Sequence, residues 1–430
     1  MEQLEESRFV WLEFDRAGAP TEADLNVLRS EVSSSDLSDV VVMSHGWKNT
    51  KADAKLLYAT LWGNTGLSVD RQRKTLVVGI LWPAKTFSTD FDQQSVKGQL
   101  AQGAPDGPGV RELTEQEFAN AIAEFRDLFG AAADQTIGAA RAVASLEIDN
   151  NTAKDLLVAA KMLLKPADQI FDNELAPDYE NIEKAAERSD RAVEILESMS
   201  SSPSFKDARE GDAQGIGDAV ASLVQGTGAA VARFLNQLTY FEMKKRSGVV
   251  GEALTKKVLN GLAPQKPVRL HLVGHSFGGR LVTAAANTWK DTASCKLFSI
   301  TLLQAAYSHN GLAAKVDGVT GAFHNVIGKA AGPIVVTHTH NDSACTVAYP
   351  LASRLARDIA NALGGADDRY GAMGANGPQL LSNDAVVLHD AIPDKLKQGK
   401  INSVLADAFI SEHNDVTNPS CGKLLRLVFT

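Results

Sequence analysis

The chain is constrained most by a short glycine-rich segment that joins an apolar run to a helical pattern. The run Val268–Val273 is typical of a buried strand, and Gly274-His-Ser-Phe-Gly278 follows it directly. The residues after this segment, through Trp289, have the spacing of a helix. A G-x-S-x-G sequence between a strand and a helix predicts a tight, strained turn that exposes the serine hydroxyl. Side chains at positions 274 and 278 would collide with neighbouring backbone, so both glycines are needed.

Strands and helices alternate near both ends of the chain. A helix is predicted over Ala52–Trp62. Further buried strands are predicted at Asp39–Met43, Leu76–Trp82, Phe298–Leu303 and Pro333–Thr337. This alternation favours an α/β fold, with a mostly parallel sheet and helices on both of its faces.

The segment between Pro83 and Pro267 is far longer than an ordinary α/β connection. After a polar, glycine-rich stretch to about Val110, Thr114-Glu-Gln-Glu117 has the form of a capping box. Apolar residues follow at helical spacing: Phe118, Ile122, Phe125 and Phe129. Further helices are predicted over 153–164, 180–199 and 216–246. We therefore expect a first half of the core in residues 1–85, a large helical insertion in 86–235, and the second half of the core in 236–430.

Composition and charge disfavour several classes of protein. The chain has 43 basic and 52 acidic side chains, whereas a nucleic-acid binder normally carries a basic face. Three cysteines without CxxC spacing argue against a disulfide framework or a zinc site and suit a reducing compartment. The acidic start is unlike a secretory signal, and the small-apolar stretch 219–238 is interrupted by Gln225 and Arg233. A cytoplasmic protein without a transmembrane segment is expected, with peripheral membrane contact left open.

The motif and its setting resemble the α/β-hydrolase superfamily, in particular its esterase-like and lipase-like serine hydrolases. The resemblance covers the chain up to Lys85 and from about Leu235 onward, and it excludes the insertion. It implies an α/β-hydrolase fold, a catalytic order of serine, acid and histidine, and an oxyanion-hole loop after an earlier strand. The nucleophile by this resemblance is Ser276.

The oxyanion loop is expected at Ser44-His-Gly-Trp47, directly after the strand at 39–43. The resemblance implies that the backbone N–H groups of Trp47 and Phe277 stabilise charge on a carbonyl oxygen. His45, His275 and His309 are expected to line the substrate site, although an ordinary polar loop residue remains the alternative for His309.

A serine hydroxyl needs a base to attack an ester at neutral pH, and nine histidines are available. A histidine on a late loop is required, and His413 fits best because its polar loop follows the predicted last strand, Ile401–Ala406. His389 is the alternative, since it also ends an apolar run. Helix-like residues 422–428 follow the His413 loop.

The acid should follow a strand and fix the tautomer of the histidine. Asp342 ends the segment that begins with the strand at Pro333, and Asp390 and Asp415 are the alternatives. His338 and His340 could be mistaken for metal ligands, but no further ligands have matching spacing. No Walker A motif and no G-x-G-x-x-G after a strand is present, so neither a metal nor a cofactor is expected.

The expected activity is cleavage of an ester or thioester, in a small-molecule or lipid substrate, through an acyl-enzyme. Two alternatives stay open. One is a catalytically idle α/β-hydrolase scaffold whose insertion binds a protein partner, and the other is a membrane-acting lipase effector. The insertion itself is expected to act as a lid over the serine.

Overall fold

A computed structural model gives the fold. It describes residues 2–34, 36–47, 49–84, 114–145, 149–164, 186–187, 192–193, 196, 227–316, 318–342, 344–345 and 371–429. The strands are β1 (Glu2–Leu4), β2 (Ser7–Glu13), β3 (Asp39–Ser44), β4 (Thr75–Leu81), β5 (Val268–His275), β6 (Cys295–Leu303), β7 (Ile334–His338), β8 (Val386–His389) and β9 (Ile401–Leu405). Six of them, β3, β4, β5, β6, β7 and β9, were predicted from their apolar runs, with bounds shifted by one to three residues, whereas β1, β2 and β8 were not predicted.

The described strands form one nine-stranded sheet in the order β1-β2-β4-β3-β5-β6-β7-β9-β8. β1 pairs antiparallel with β2, and the other neighbouring pairs of this sheet are parallel. All six residues of β3, in the middle of the order, are buried, so both faces of the sheet are covered there. The expected α/β fold with a mostly parallel sheet is confirmed in this general form.

The described helices follow the strands in alternation over much of the chain. They are α1 (Glu22–Ser34), α2 (Lys51–Gly63), α3 (Val69–Arg73), α4 (Glu115–Phe129), α5 (Asp134–Ser145), α6 (Asn150–Leu164), α7 (Thr227–Ala253), α8 (Phe277–Thr288), α9 (Met373–Asn376) and α10 (Pro419–Arg426). The capping box is confirmed, because the Thr114 side chain accepts from Glu117 N and the Glu117 carboxylate accepts from Thr114 N at the start of α4. Of the other predicted helices, 180–199 and the part of 216–246 before Thr227 lie almost wholly outside the described residues, as does the polar stretch up to Val110.

One large apolar core lies where α2 and α10 pack against the sheet. Tyr58 and Trp62 of α2 are fully buried, as are Leu424 and Leu425 of α10 and Val41 of β3. Burial of each such side chain stabilises the fold by roughly 1.5–3 kcal/mol. This packing fixes the position of α10, and therefore of the chain segment between β9 and α10.

Contacts divide the chain into two compact units. The unit that carries the sheet comprises Met1–Lys85, Met243–Thr346 and Gly364–Thr430, and the other comprises Thr86–Glu242 and Val347–Leu363. The expected three-part division at 85/86 and 235/236 stays a prediction, because most of residues 86–235 lie outside the described residues. Within the part of the chain that the structure describes, no helix combines the length and apolar character needed to cross a membrane.

Candidate active site

Ser276 lies on the turn between β5 and α8 with backbone angles of φ +56° and ψ −126°. A non-glycine residue with positive φ is strained by about 1–3 kcal/mol and persists only when its surroundings hold it. Here the Ser276 N–H donates to Leu303 O at 3.1 Å, and its carbonyl accepts from Gly279 N and Ala306 N. The strained turn predicted from the G-x-S-x-G segment is therefore present and is anchored to the end of β6.

The two motif glycines leave no room for a side chain. A Cβ added to Gly274 would lie 2.3 Å from Gly278 O, and one added to Gly278 would lie 2.3 Å from Ser44 O. These clashes are with backbone atoms, which cannot rotate away. The predicted reason for glycine at both positions is thus confirmed, and the turn packs tightly against the end of β3.

Ser276, His413 and Asp342 form a continuous hydrogen-bonded row. The Ser276 Oγ lies 2.8 Å from His413 Nε2, and His413 Nδ1 lies 2.8 Å from Asp342 Oδ2. Ser276 follows β5, Asp342 follows β7, and His413 lies in the segment between β9 and α10. The carboxyl ends of parallel strands meet at one edge of a sheet, which brings together residues that are far apart in sequence.

The Asp342 carboxylate is fully buried and accepts hydrogen bonds from three described residues. Its Oδ1 accepts from Cys345 N at 3.0 Å, and its Oδ2 accepts from both Gln304 Nε2 at 3.0 Å and His413 Nδ1. Burial acts to raise the pKa of Asp342, but the His413 ring and the other two donors, Cys345 N and Gln304 Nε2, together hold it below its usual value. An ionised Asp342 keeps the proton of a neutral His413 on Nδ1, so Nε2 faces the serine hydroxyl as an acceptor.

The loop after β3 passes directly beside Ser276. A Cβ added to Gly46 would lie 2.6 Å from Ser276 Cβ and 3.1 Å from its Oγ. Trp47 follows Gly46, and Phe277 is the first residue of α8, so its N–H lies at the positive end of the helix dipole. The backbone of the predicted oxyanion loop is therefore adjacent to the serine, while the donor role of Trp47 and Phe277 stays a prediction.

No protein-family model, curated protein or solved structure matches this chain. Functional inference therefore depends on the residues of the site and on their arrangement.

The three histidines expected to line the substrate site are almost fully buried. His45 is 0% exposed, and its Nδ1 donates to Gly46 O at 2.8 Å. His275 is 2% exposed, and its Nε2 donates to His413 O at 2.9 Å. His309 is 1% exposed, and its Nδ1 accepts from Asn376 Nδ2 at 3.1 Å. Contact of these rings with a substrate stays untested, whereas His45 and His275 support the two loops that flank Ser276.

Burial also keeps two of these histidines neutral. It lowers the pKa of His45 to about 4, against the opposing effect of the hydrogen bond to Gly46. Burial and the adjacent His413 lower the pKa of His275 to about 3. The His45 ring stacks on Trp82 at 5.7 Å between centroids, and the Trp82 indole donates to His45 O at 3.1 Å. These contacts hold the 45–47 loop in place.

The alternative base and acids have other partners. His389 Nε2 donates to Asn402 Oδ1 at 3.1 Å on the neighbouring strand β9. Asp415 accepts from Ser411 N and Asn418 Nδ2 at the start of α10, and Asp390 follows β8, the last strand in the sheet order. Among the described residues, the His413 ring is hydrogen-bonded to Ser276 and Asp342 rather than to either of these alternative acids.

Among the described residues, Asp342, Cys345 and His413 each have an atom that could ligate a metal ion, and these atoms lie within 4.8 Å of one another. Both carboxylate oxygens and both ring nitrogens already take part in hydrogen bonds. Burial and the nearby carboxylate raise the pKa of the Cys345 thiol well above its usual value, and a protonated thiol is a poor metal ligand. The group is better suited to moving a proton than to holding a cation. His340 pairs instead with Asp407, 2.8 Å away.

Two residues that contact Asp342 were not predicted from the sequence. Gln304 is the first polar residue after the apolar run Phe298–Leu303, which is a signal that could have marked it. Cys345 contributes its backbone N–H, a group that every residue except proline carries, so its side chain gave no signal.

Proposed function

We propose that this chain is a serine hydrolase of the α/β-hydrolase type that cleaves an ester or thioester through an acyl-enzyme. The observation that carries the proposal is the row Ser276 Oγ, His413 and Asp342, with two contacts of 2.8 Å on a strained strand-to-helix turn. A nucleophile within hydrogen-bond reach of a base that is itself oriented by a third group is the signature of covalent catalysis.

In the first step, Ser276 Oγ attacks the acyl carbon and its proton moves to His413 Nε2. The carbonyl double bond opens, and the electron pair moves onto the oxygen. Asp342 stays ionised and stabilises the imidazolium through the Nδ1–H hydrogen bond. The Asp342 carboxylate suits this role, because it is buried and the hydrogen bonds that it accepts compensate its negative charge.

The developing oxyanion is stabilised by the N–H groups of Trp47 and Phe277 in this mechanism. When the tetrahedral intermediate collapses, the bond to the alcohol or thiol breaks, and that group takes the proton from His413 Nε2. A water molecule then attacks the acyl-enzyme by the same route and regenerates Ser276. The substrate class is a small-molecule or lipid acyl ester.

The fold assignment within this proposal is supported by order and setting. The chain order is Ser276, Asp342, His413, the serine lies on a strand–turn–helix, and the flanking loop follows β3, as in α/β-hydrolases. A lid role for residues 86–235 belongs to the same proposal, since a lid would exclude water and select substrates. The described helices α4, α5 and α6 support the helical character of that segment.

The direct test is labelling with a fluorophosphonate, which reacts with activated serines. The wild-type chain should be labelled with one probe per molecule, and Ser276→Ala should not be labelled. Ser299→Ala is the matched control, because Ser299 is also buried and also contacts a histidine, with its Oγ 2.8 Å from His271 Nδ1. That variant should be labelled normally.

Wild-type protein that resists the probe and hydrolyses no acyl ester would contradict the proposal and favour an idle scaffold that binds a partner. Labelling that survives in Ser276→Ala would move the nucleophile elsewhere. Rates on esters of graded acyl length, with and without vesicles, then separate a small-molecule esterase from a membrane-acting lipase.

A further inference from the structure

Gln304 has an unusual backbone for its residue type. It directly follows β6, and its φ of +45° lies in the left-handed region that favours glycine. The side chain is fully buried. A non-glycine residue in this conformation costs free energy, so its surroundings must hold it there, and such residues cluster at functional sites.

Both ends of the Gln304 side chain are hydrogen-bonded. Its Oε1 accepts from Thr337 Oγ1 at 2.9 Å, and its Nε2 donates to Asp342 Oδ2 at 3.0 Å and to Gly374 O at 2.9 Å. Because the carboxylate and the carbonyl can only accept, these contacts require the NH₂ group at this position. The orientation of the amide is therefore fixed by chemistry.

Gln304 donates to the same carboxylate oxygen that accepts from His413. Asp342 Oδ2 thus has two donors, Gln304 Nε2 and His413 Nδ1, while Oδ1 accepts from Cys345 N. Among the described residues, Gln304 Nε2 and Cys345 N are the donors that hold the carboxylate against rotation, apart from the histidine that it has to orient. The Gln304 amide therefore limits where Oδ2 can lie relative to the His413 ring.

We infer that Gln304 is a positioning residue for the proposed hydrolase, acting on His413 through Asp342. The inference rests on the proposed function of Ser276, His413 and Asp342. Gln304 does not contact the reacting atoms; it fixes the plane of the Asp342 carboxylate, which in turn fixes the tautomer and the direction of the His413 ring.

The test is a double-mutant cycle on kcat for an acyl ester. Gln304→Leu should lower kcat by about 10- to 100-fold, the effect of losing one hydrogen bond to a buried charge, with KM changed less than threefold. In an Asp342→Asn background the same change should alter kcat less than twofold, because the carboxylate through which Gln304 acts on His413 is already absent. Equal losses in both backgrounds would mean a merely structural role and would overturn the inference.

Thr301→Val is the matched control, since Thr301 is a buried residue of β6, the strand that Gln304 directly follows. Its hydroxyl has no hydrogen-bond partner within the described part of the chain. This variant should keep kcat in both backgrounds.

A second measurement does not need activity. The far-downfield proton NMR signal of His413 Nδ1–H, assigned by its loss in His413→Ala, should shift or broaden in Gln304→Leu and stay unchanged in Thr301→Val. An unchanged signal in Gln304→Leu would refute the inference, even if the wild-type protein proved to hydrolyse no ester. Failure of the proposed function would instead appear as absent labelling of Ser276 with the NMR response intact.

Discussion

Replacing Gly46 with alanine is a sharp test of whether the loop after β3 acts on the chemistry at Ser276. The new Cβ would lie 2.6 Å from Ser276 Cβ, 3.1 Å from its Oγ and 3.3 Å from His275 O. Ordinary contacts of this kind are about 3.5–4.0 Å, so the two segments must separate by about 1 Å. The φ of Gly46 is not in the left-handed region, so the effect of the substitution is steric.

Neither segment can move freely to relieve this clash. The His45 N–H donates to the Tyr58 hydroxyl at 2.8 Å, and Tyr58 in turn donates to Ile80 O at 2.7 Å. On the other side, the turn at Ser276 abuts Ser44 O through Gly278. The shift must therefore be taken up where Gly46 meets the serine, and in the proposed mechanism this moves the Trp47 N–H away from the carbonyl oxygen that it would stabilise.

A displacement of about 1 Å at a catalytic group can cost about 100-fold in rate, which corresponds to about 2.7 kcal/mol. Loss of one oxyanion donor gives a similar figure, about 100- to 1,000-fold. Crowding a packed site should also lower the free energy of unfolding by about 1–3 kcal/mol. We expect kcat of Gly46→Ala to fall about 100-fold, with KM changed only a few-fold.

The assay is steady-state hydrolysis of an acyl ester, with urea unfolding to establish that the variant is folded under assay conditions. Gly138→Ala is the matched control, because a Cβ at Gly138, within α5, would meet nothing within 4 Å. That change should keep kcat and raise stability by about 0.5–1 kcal/mol. A folded Gly46→Ala protein with kcat within threefold of wild type would refute the proposed role of this loop.

Three further predictions concern the base, the acid and the pH dependence of stability. His413→Ala should lower kcat by at least about a thousandfold, whereas His389→Ala should lower it less than tenfold; the reverse result in initial-rate measurements would reassign the base. Asp342→Asn should lower kcat by roughly 10⁴-fold, because the amide favours the wrong imidazole tautomer, and near-normal turnover would exclude Asp342 as the acid. Burial lowers the pKa of His45 to about 4 and of His275 to about 3, so the unfolded chain binds more protons below pH 6.5. The free energy of unfolding, measured in urea, should therefore fall between pH 7 and pH 5 by about 2 kcal/mol for each histidine, and a flat profile would contradict their buried, neutral state.

The parts of the molecule that were predicted from sequence are those governed by local patterns. The apolar run at Asp39–Met43 is strand β3, and the glycines of the 274–278 segment have the tight contacts that their spacing implies. The set Ser276, His413 and Asp342 was expected from the resemblance to α/β-hydrolases, whose chain order of serine, acid and histidine these residues follow. In each case the signal lies within a few residues of chain, or in the order of elements along it.

The parts that were not predicted depend on contacts between distant residues. Gln304 donates hydrogen bonds to Asp342, which is 38 positions away in sequence, and to Gly374, which is 70 positions away. No local sequence pattern encodes contacts between residues so far apart. The orientation of a loop side chain is equally hard to predict from the sequence. Whether His45 lines a substrate site stays a prediction, and nothing in the sequence indicated that its ring is fully buried and stacked on Trp82.

The same sheet contains a second serine–histidine–aspartate set, and the contrast shows what residue types alone cannot decide. Ser299 Oγ lies 2.8 Å from His271 Nδ1, and His271 Nε2 lies 3.0 Å from Asp39 Oδ1. Ser299 and His271 are cross-strand neighbours within β6 and β5, and all three residues are 0% exposed. Asp39 also accepts from Arg269 at 2.8 Å, so its charge is compensated without a proton on the histidine, and burial lowers the pKa of His271. A histidine held neutral by burial is a poor proton acceptor, and a serine inside a paired strand cannot be approached by a carbonyl carbon. Ser276 differs in lying beyond the end of its strand on a strained turn, and it is this position that makes the row at Ser276 suited to nucleophilic chemistry.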